Sequence, residues 1–392
     1  MIGCDLRIHP NATSAGRPGR PPCHGGTVPS LPAAAETGAN AMADLQDEPH
    51  SVGIGAEDLP ASEVPAGALD RAVALLSVHP VADGCNTLVW TLRQSPYHDI
   101  DTPDVNVDTD IPRLRAGGVG AQFWSLLVPQ GRPRGDITGD QAVSDTLEQI
   151  DVALALMRRY PDSLRLALSA DDMVDARNRG RIASFLGPVP GRTLTDSLGA
   201  LRAFHALGVR ILAPAGAPWA QDDLTAFGHE VVREANRLAM ILDVNGCPPV
   251  VACQVAGASK SPTIISNTAA AALNPHPANV PDEVLLALGE AKGLAMVTFD
   301  AARTGDSLHA VADHLDHVRA VAGPESVGLG AAFGTEAPGS RPAGLTDPSG
   351  YPRLIAELLE RGWPESDLAL LTWGNALRVV RDAEFTSRRS TR

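Results

Sequence analysis

From about residue 68 two hydrophobic patterns alternate along the chain. Short, continuous apolar runs are RIASFLG, VRILAP, ILDVNG, PTIIS, LAMVTF and SVGLGAAF. Between them lie longer stretches with apolar residues every three or four positions: SLGALRAFHALG, FGHEVVREANRLAM, DEVLLALGEAKG, VADHLDHVRAVAG and YPRLIAELLERGW. Apolar runs of that length predict buried parallel strands, and the longer periodicity predicts amphipathic helices. Gly and Pro mark the joints. Repetition of strand then helix predicts an α/β fold, and about eight such strands over roughly 310 residues suit a (β/α)8 barrel better than an open sheet. A single barrel is expected over 66–385, with 386–392 as a tail.

Residues 1–65 lack either period and are rich in Gly, Pro, Ala, Ser and Thr, so a disordered leader is expected, with Met42 as an alternative start. No signal peptide, lipid-anchor signal or membrane-length apolar run is apparent, and a soluble, cytoplasmic protein is expected. A formal charge of −14 argues against nucleic acid or an anionic membrane as partner. The five cysteines show no C-x-x-C and no paired framework, which fits a reducing compartment.

The segment VADGCNTLVW (81–90) resembles the first barrel strand of the membrane (renal) dipeptidase family, written there D-G-H-N-D-L-P-W. Resemblance continues through DIPRLRAGGVGAQFWSLLVP, DSLGALRAFHALGVR, NVPDEVL, VADHLDHVRAVAG and YPRLIAELLERGW, in the family's order. It implies a metal-dependent hydrolase barrel in which a zinc pair activates water against a dipeptide amide. It also implies where the ligands should lie. The first-strand His and Asp fall on Cys85 and Thr87, the bridging Glu on Val189, and the following His on Arg192. Two further His positions fall on Gly246 and Asn267. Substrate contacts fall near Gly216, on Ala278 and on Ala332, with Gly334 in place of a second Asp. A binuclear zinc site needs about six carboxylate and imidazole donors. The chain is therefore expected to be a degenerate member with no metal and no cofactor.

Barrel enzymes work at the C-terminal ends of their strands. The residues expected there are Cys85, Arg192, Asp243 and Asp300 as candidate catalytic groups, with Asp83, Thr87, Trp90, Trp124, Asn245 and Asn267 around the pocket. Each has a plainer role: a small buried thiol, an Arg192–Asp243 pair filling the vacated space, an amide satisfying hydrogen bonds, or tryptophans in the core. His314 and His317, three apart on a helix, read as structural. Two functions fit an emptied site. One is a non-hydrolytic barrel binding a small molecule or a protein partner, such as an active paralogue; the other is a metal-independent isomerase, lyase or cyclase. Residual dipeptidase activity is a third reading. The resemblance also implies a homodimer.

Overall fold

In the computed structural model the described residues are 66–93, 98–103, 107–127, 139–334 and 340–390. The leader and Met42 lie outside them.

Ten strands run in parallel: β1 (Val81–Asn86), β2 (Val119–Trp124), β3 (Leu164–Leu166), β4 (Ile182–Leu186), β5 (Val189–Pro190), β6 (Ile211–Ala213), β7 (Ile241–Leu242), β8 (Ile264–Thr268), β9 (Leu294–Val297) and β10 (Val327–Leu329). Hydrogen bonding orders seven of them β3-β4-β2-β1-β10-β9-β8 and three β5-β6-β7. Parallel bridges Leu186–Val209 and Asp243–Ile264 join the two sets. The ring is thereby closed in chain order as β1-β2-β4-β6-β7-β8-β9-β10. This is the expected (β/α)8 barrel. The short β3 lies along the early half of the β4 edge, and β5 continues the β4 line beside β6.

Both faces of each strand except the short β3 are buried, which explains why the ring strands read as unbroken apolar runs. Leu294 and Met296 of β9 belong to the cluster inside the ring with Ala82, Phe123, Phe185, Ile211, Ile241 and Ile264. Their neighbours Ala295 and Val297 pack instead in the cluster shared with the surrounding helices. Alternation along a strand produces this split. Phe123 and Phe185 meet edge to face at 5.5 Å between centroids inside the ring.

The predicted helices form where the period of three to four places them, including Leu198–Ala206, Ala226–Arg237, Asp282–Glu290, Leu308–Ala322 and Tyr351–Glu360. One boundary is corrected. The final helix runs Asn375–Ser390, so residues 386–390 continue the folded body instead of forming a tail. Thr386 Oγ1 donates to the Lys260 carbonyl at 3.1 Å, and Ser387 Oγ to that of Arg237 at 2.6 Å. No helix among the described residues is long and apolar enough to cross a membrane.

Candidate functional site

The strands' C-terminal ends surround a cavity of about 470 Å³. Its wall takes Cys85 from β1 and Thr87 just after it, Ser125 after β2, Arg192 after β5, Ala213, Ala215 and Gly216 at the end of β6, and Asn245 and Gly246 after β7. Ser266, Asn267, Thr298, Asp300, Arg303 and Ala332 come from β8 to β10 and the turns that follow them. Positions where the resemblance expects metal ligands or substrate contacts (Cys85, Thr87, Arg192, Gly216, Gly246, Asn267, Ala332) therefore gather around one space.

Of the ten candidate residues, Cys85, Thr87, Arg192, Asn245, Asn267 and Asp300 line the cavity, whereas Asp83, Trp90, Trp124 and Asp243 do not. Asp83 faces the outer helices. Its carboxylate accepts from the backbone N–H of Cys85 (3.1 Å) and Ala331 (3.0 Å) and from the Tyr351 hydroxyl (2.8 Å). An irregular register between Asp83 and Asn86 then lets Cys85 reach the cavity. Trp124 is turned outward by strand alternation next to the inward Phe123 and is buried among the helices. Trp90 sits on the short helix Leu88–Leu92 under the Arg93 guanidinium, 4.6 Å from the ring centroid.

Asp243 lies behind Ser266. It accepts from the Ser266 N–H (3.0 Å) and hydroxyl (2.5 Å) and from the Asn245 N–H (3.0 Å). No Arg192–Asp243 pair forms; Arg192 has no hydrogen-bond or ion-pair partner among the described residues. Burial raises the pKa of both Asp83 and Asp243 to about 6, against the opposing pull of their hydrogen bonds.

Cys85 is buried, and its thiol is pushed far up, first by desolvation and then by the nearby Asp83 and Asp243 carboxyls. A thiolate is the reactive form, so this environment opposes a nucleophilic role. Thr87 donates its hydroxyl to the Phe333 carbonyl at 3.2 Å. Asn267 donates its amide to Thr298 Oγ1 (2.9 Å) and the Gly330 carbonyl (3.0 Å), joining β8, β9 and β10. Asp300 caps the short helix Ala301–Thr304 through the Ala302 N–H at 3.1 Å, and is only half-buried.

Two arginines were missed by sequence reasoning. Arg303, one turn beyond Asp300, is buried and donates to Asn279 Oδ1 (3.1 Å), Asn267 Oδ1, and the carbonyls of Asn267 (3.2 Å) and Ala278 (2.9 Å). Its closeness to Asp300 in sequence was the available signal. Arg341 pairs with buried Asp108 at 2.8 Å and donates to the carbonyls of Phe299, Ala331 and Ala332. It thus holds Ala332 at a left-handed φ of 61°, a conformation that costs a non-glycine residue energy. Arg341 lies well beyond the end of β10 in sequence, and no local pattern announces it.

Zinc does not fit the donors present. Besides the Cys85 thiol, the wall offers the carboxylates of Asp300 and Asp145, and Asp145 is bound to Arg93 at 2.8 Å. No group of three or more His, Cys, Asp or Glu suited to hold a metal ion occurs among the described residues. His314 and His317 have separate partners. The first accepts the Ala270 N–H at Nδ1 (3.1 Å), and the second meets Asp282 at 2.8 Å.

Comparison with known proteins agrees with this architecture. A family model described as membrane dipeptidase (peptidase family M19) matches residues 69–392. Dipeptidase 3 of Mus musculus is 37% identical over 348 residues, covering 82% of this chain and 68% of the relative. Dipeptidase 3 of Homo sapiens is 38% identical over 341 residues, covering 80% and 67%.

Among solved structures, a metallopeptidase from Rhodobacter sphaeroides, liganded with a phosphinate mimic of L-Ala-D-Ala, superposes with a TM-score of 0.71. It is 23% identical and covers 78% of this chain and 99% of that one. The probable dipeptidase PvdM from Pseudomonas aeruginosa superposes at 0.72, with 18% identity and coverage of 82% and 100%. The closed barrel, the ordered motifs and the family match together establish that this chain belongs to the membrane dipeptidase family, peptidase family M19.

Proposed function

We propose that this protein is a metal-free, non-hydrolytic member of its family that binds a small molecule in the barrel mouth. The observation that carries this reading is the chemistry of the wall. Positions that would supply imidazole and carboxylate to two metal ions hold Cys85, Thr87, Val189, Arg192, Gly246 and Asn267, while the cavity itself stays open. Removing the donors removes both the charge that would hold the metals and the means of lowering the pKa of a bound water. The pocket volume lies within the range of small-molecule sites.

The competing reading, a metal-independent enzyme working through Cys85, Arg192, Asp243 and Asp300, is weakened. Cys85 is held as a thiol and Asp243 is committed behind Ser266, which leaves Asp300 as the accessible carboxylate of the four.

Elemental analysis of the purified protein, with a dipeptide hydrolysis assay in added zinc, tests the proposal. The expected result is well under one zinc per chain, no turnover, and a melting temperature that EDTA leaves unchanged. About two zinc per chain together with hydrolysis would overturn it.

A further inference from the structure

We infer that the cavity is built for a small organic anion, whose carboxylate or phosphate oxygens meet Arg303 and Arg192. This rests on the reading of the cavity as a ligand site and names the ligand's class.

The two buried arginines of the wall provide an internal comparison. Arg341 is neutralised by Asp108 at 2.8 Å, as a buried guanidinium ordinarily is. Arg303 is just as deeply placed, 4% exposed, yet its hydrogen-bond acceptors among the described residues are all neutral: Asn279, Asn267 and the Ala278 carbonyl. These bonds fix the fork of the guanidinium without cancelling its charge. Asp300 acts on it only through space, without an ion pair, and is itself partly in solvent.

Arg192 adds a second cation with no partner among the described residues. It follows β5, roughly across the ring from β9, the strand that leads into Arg303. Asp145 is held by Arg93, which also meets the exposed Glu148. The wall thus sets two guanidiniums without an ion pair among the described residues, Arg192 and Arg303, against one such carboxylate, the partly solvated Asp300, within a chain whose formal net charge is −14. An oxyanion supplies the countercharge that the two guanidiniums lack: Arg192 keeps its whole fork, which suits carboxylate and phosphate geometry, and Arg303 keeps its charge and one Nη1 N–H.

The test is calorimetric titration of the full chain, with thermal shift in parallel, against succinate, glycerol 3-phosphate, succinamide and putrescine. Saturable binding of succinate or of glycerol 3-phosphate is expected, and which of the two binds assigns carboxylate or phosphate. The neutral diamide and the diamine should be silent. Arg192→Gln should weaken the anion at least about tenfold while leaving the melting temperature of the unliganded protein unchanged. Arg303→Gln should abolish binding, and if that variant does not fold, Arg192→Gln decides alone. Binding of succinamide or putrescine equal to that of succinate overturns the inference. So does anion binding that Arg192→Gln leaves intact, or no saturable response to either anion at millimolar concentration. Metal content and dipeptide turnover of the same preparation decide the metal-free reading separately.

Discussion

Cys85 and Arg341 are the two wall residues whose surroundings most constrain what they do. Burial and two neighbouring carboxyls keep Cys85 protonated. In the native protein at pH 8, iodoacetamide should therefore leave Cys85 unmodified, and it should react only after denaturation; peptide mass mapping that finds rapid native labelling would contradict this. Arg341 spans three backbone carbonyls and one buried carboxylate. Arg341→Met strands the Asp108 charge in the core and should cost about 3–5 kcal/mol, read from the urea midpoint. A loss below about 1 kcal/mol would mean that water reaches Asp108 readily.

At the level of elements, local sequence places helix starts well. Ser169 caps the helix Ala170–Asn178, accepting the Asp172 N–H at 3.0 Å, while the Asp172 carboxylate accepts the Leu168 N–H at 3.0 Å. This reciprocal arrangement resembles a capping box. Ser169→Ala should destabilise by about 1 kcal/mol, seen as a lower midpoint with an unchanged m-value. The end of the last helix is a different matter. The polar sequence TSRRS carries no apolar period, and it stays helical because Thr386 and Ser387 reach carbonyls of other elements. Sequence periodicity is blind to such anchors.

For the molecule as a whole, pH acts through its buried carboxyls. Asp83 and Asp243 titrate near 6 when folded, above the ordinary carboxylate value, so the folded state binds their protons more tightly than the unfolded chain. Their stabilising contribution is fully present below about pH 4 and is lost as pH rises through 6. His314, held down to about 4 by burial, works in the opposite direction, losing stability as pH falls below 6.5. Glu234, held at about 2 chiefly by hydrogen bonding to Arg237, loses its contribution only in stronger acid.

A paired comparison isolates one of these groups. Asp83→Asn should be more harmful relative to wild type at pH 4.5 than at pH 7.5, by about 2 kcal/mol, because only the wild type gains a proton there. A stability difference that stays constant between the two pH values would show that Asp83 keeps an ordinary pKa.

The sequence by itself determined the class of fold, because strands buried on both faces must be continuously apolar and the helices between them must carry a stripe. RIASFLG, LAMVTF and SVGLGAAF each became a strand where the pattern placed it. It also determined which residue types stand at the positions where the resemblance expects metal donors, since residue identity decides donor chemistry. Only the tertiary structure decided which polar groups face the cavity. Asp83 points outward by alternation from the inward Ala82, and a one-residue irregularity between Asp83 and Asn86 then brings Cys85 in. Arg303 arrives at the wall from the short helix Ala301–Thr304 and Arg341 from beyond β10, and each is held there by a distant partner, Asn279 and Asp108. Side-chain direction at a strand end follows register and through-space hydrogen bonds, and neither is written in local sequence.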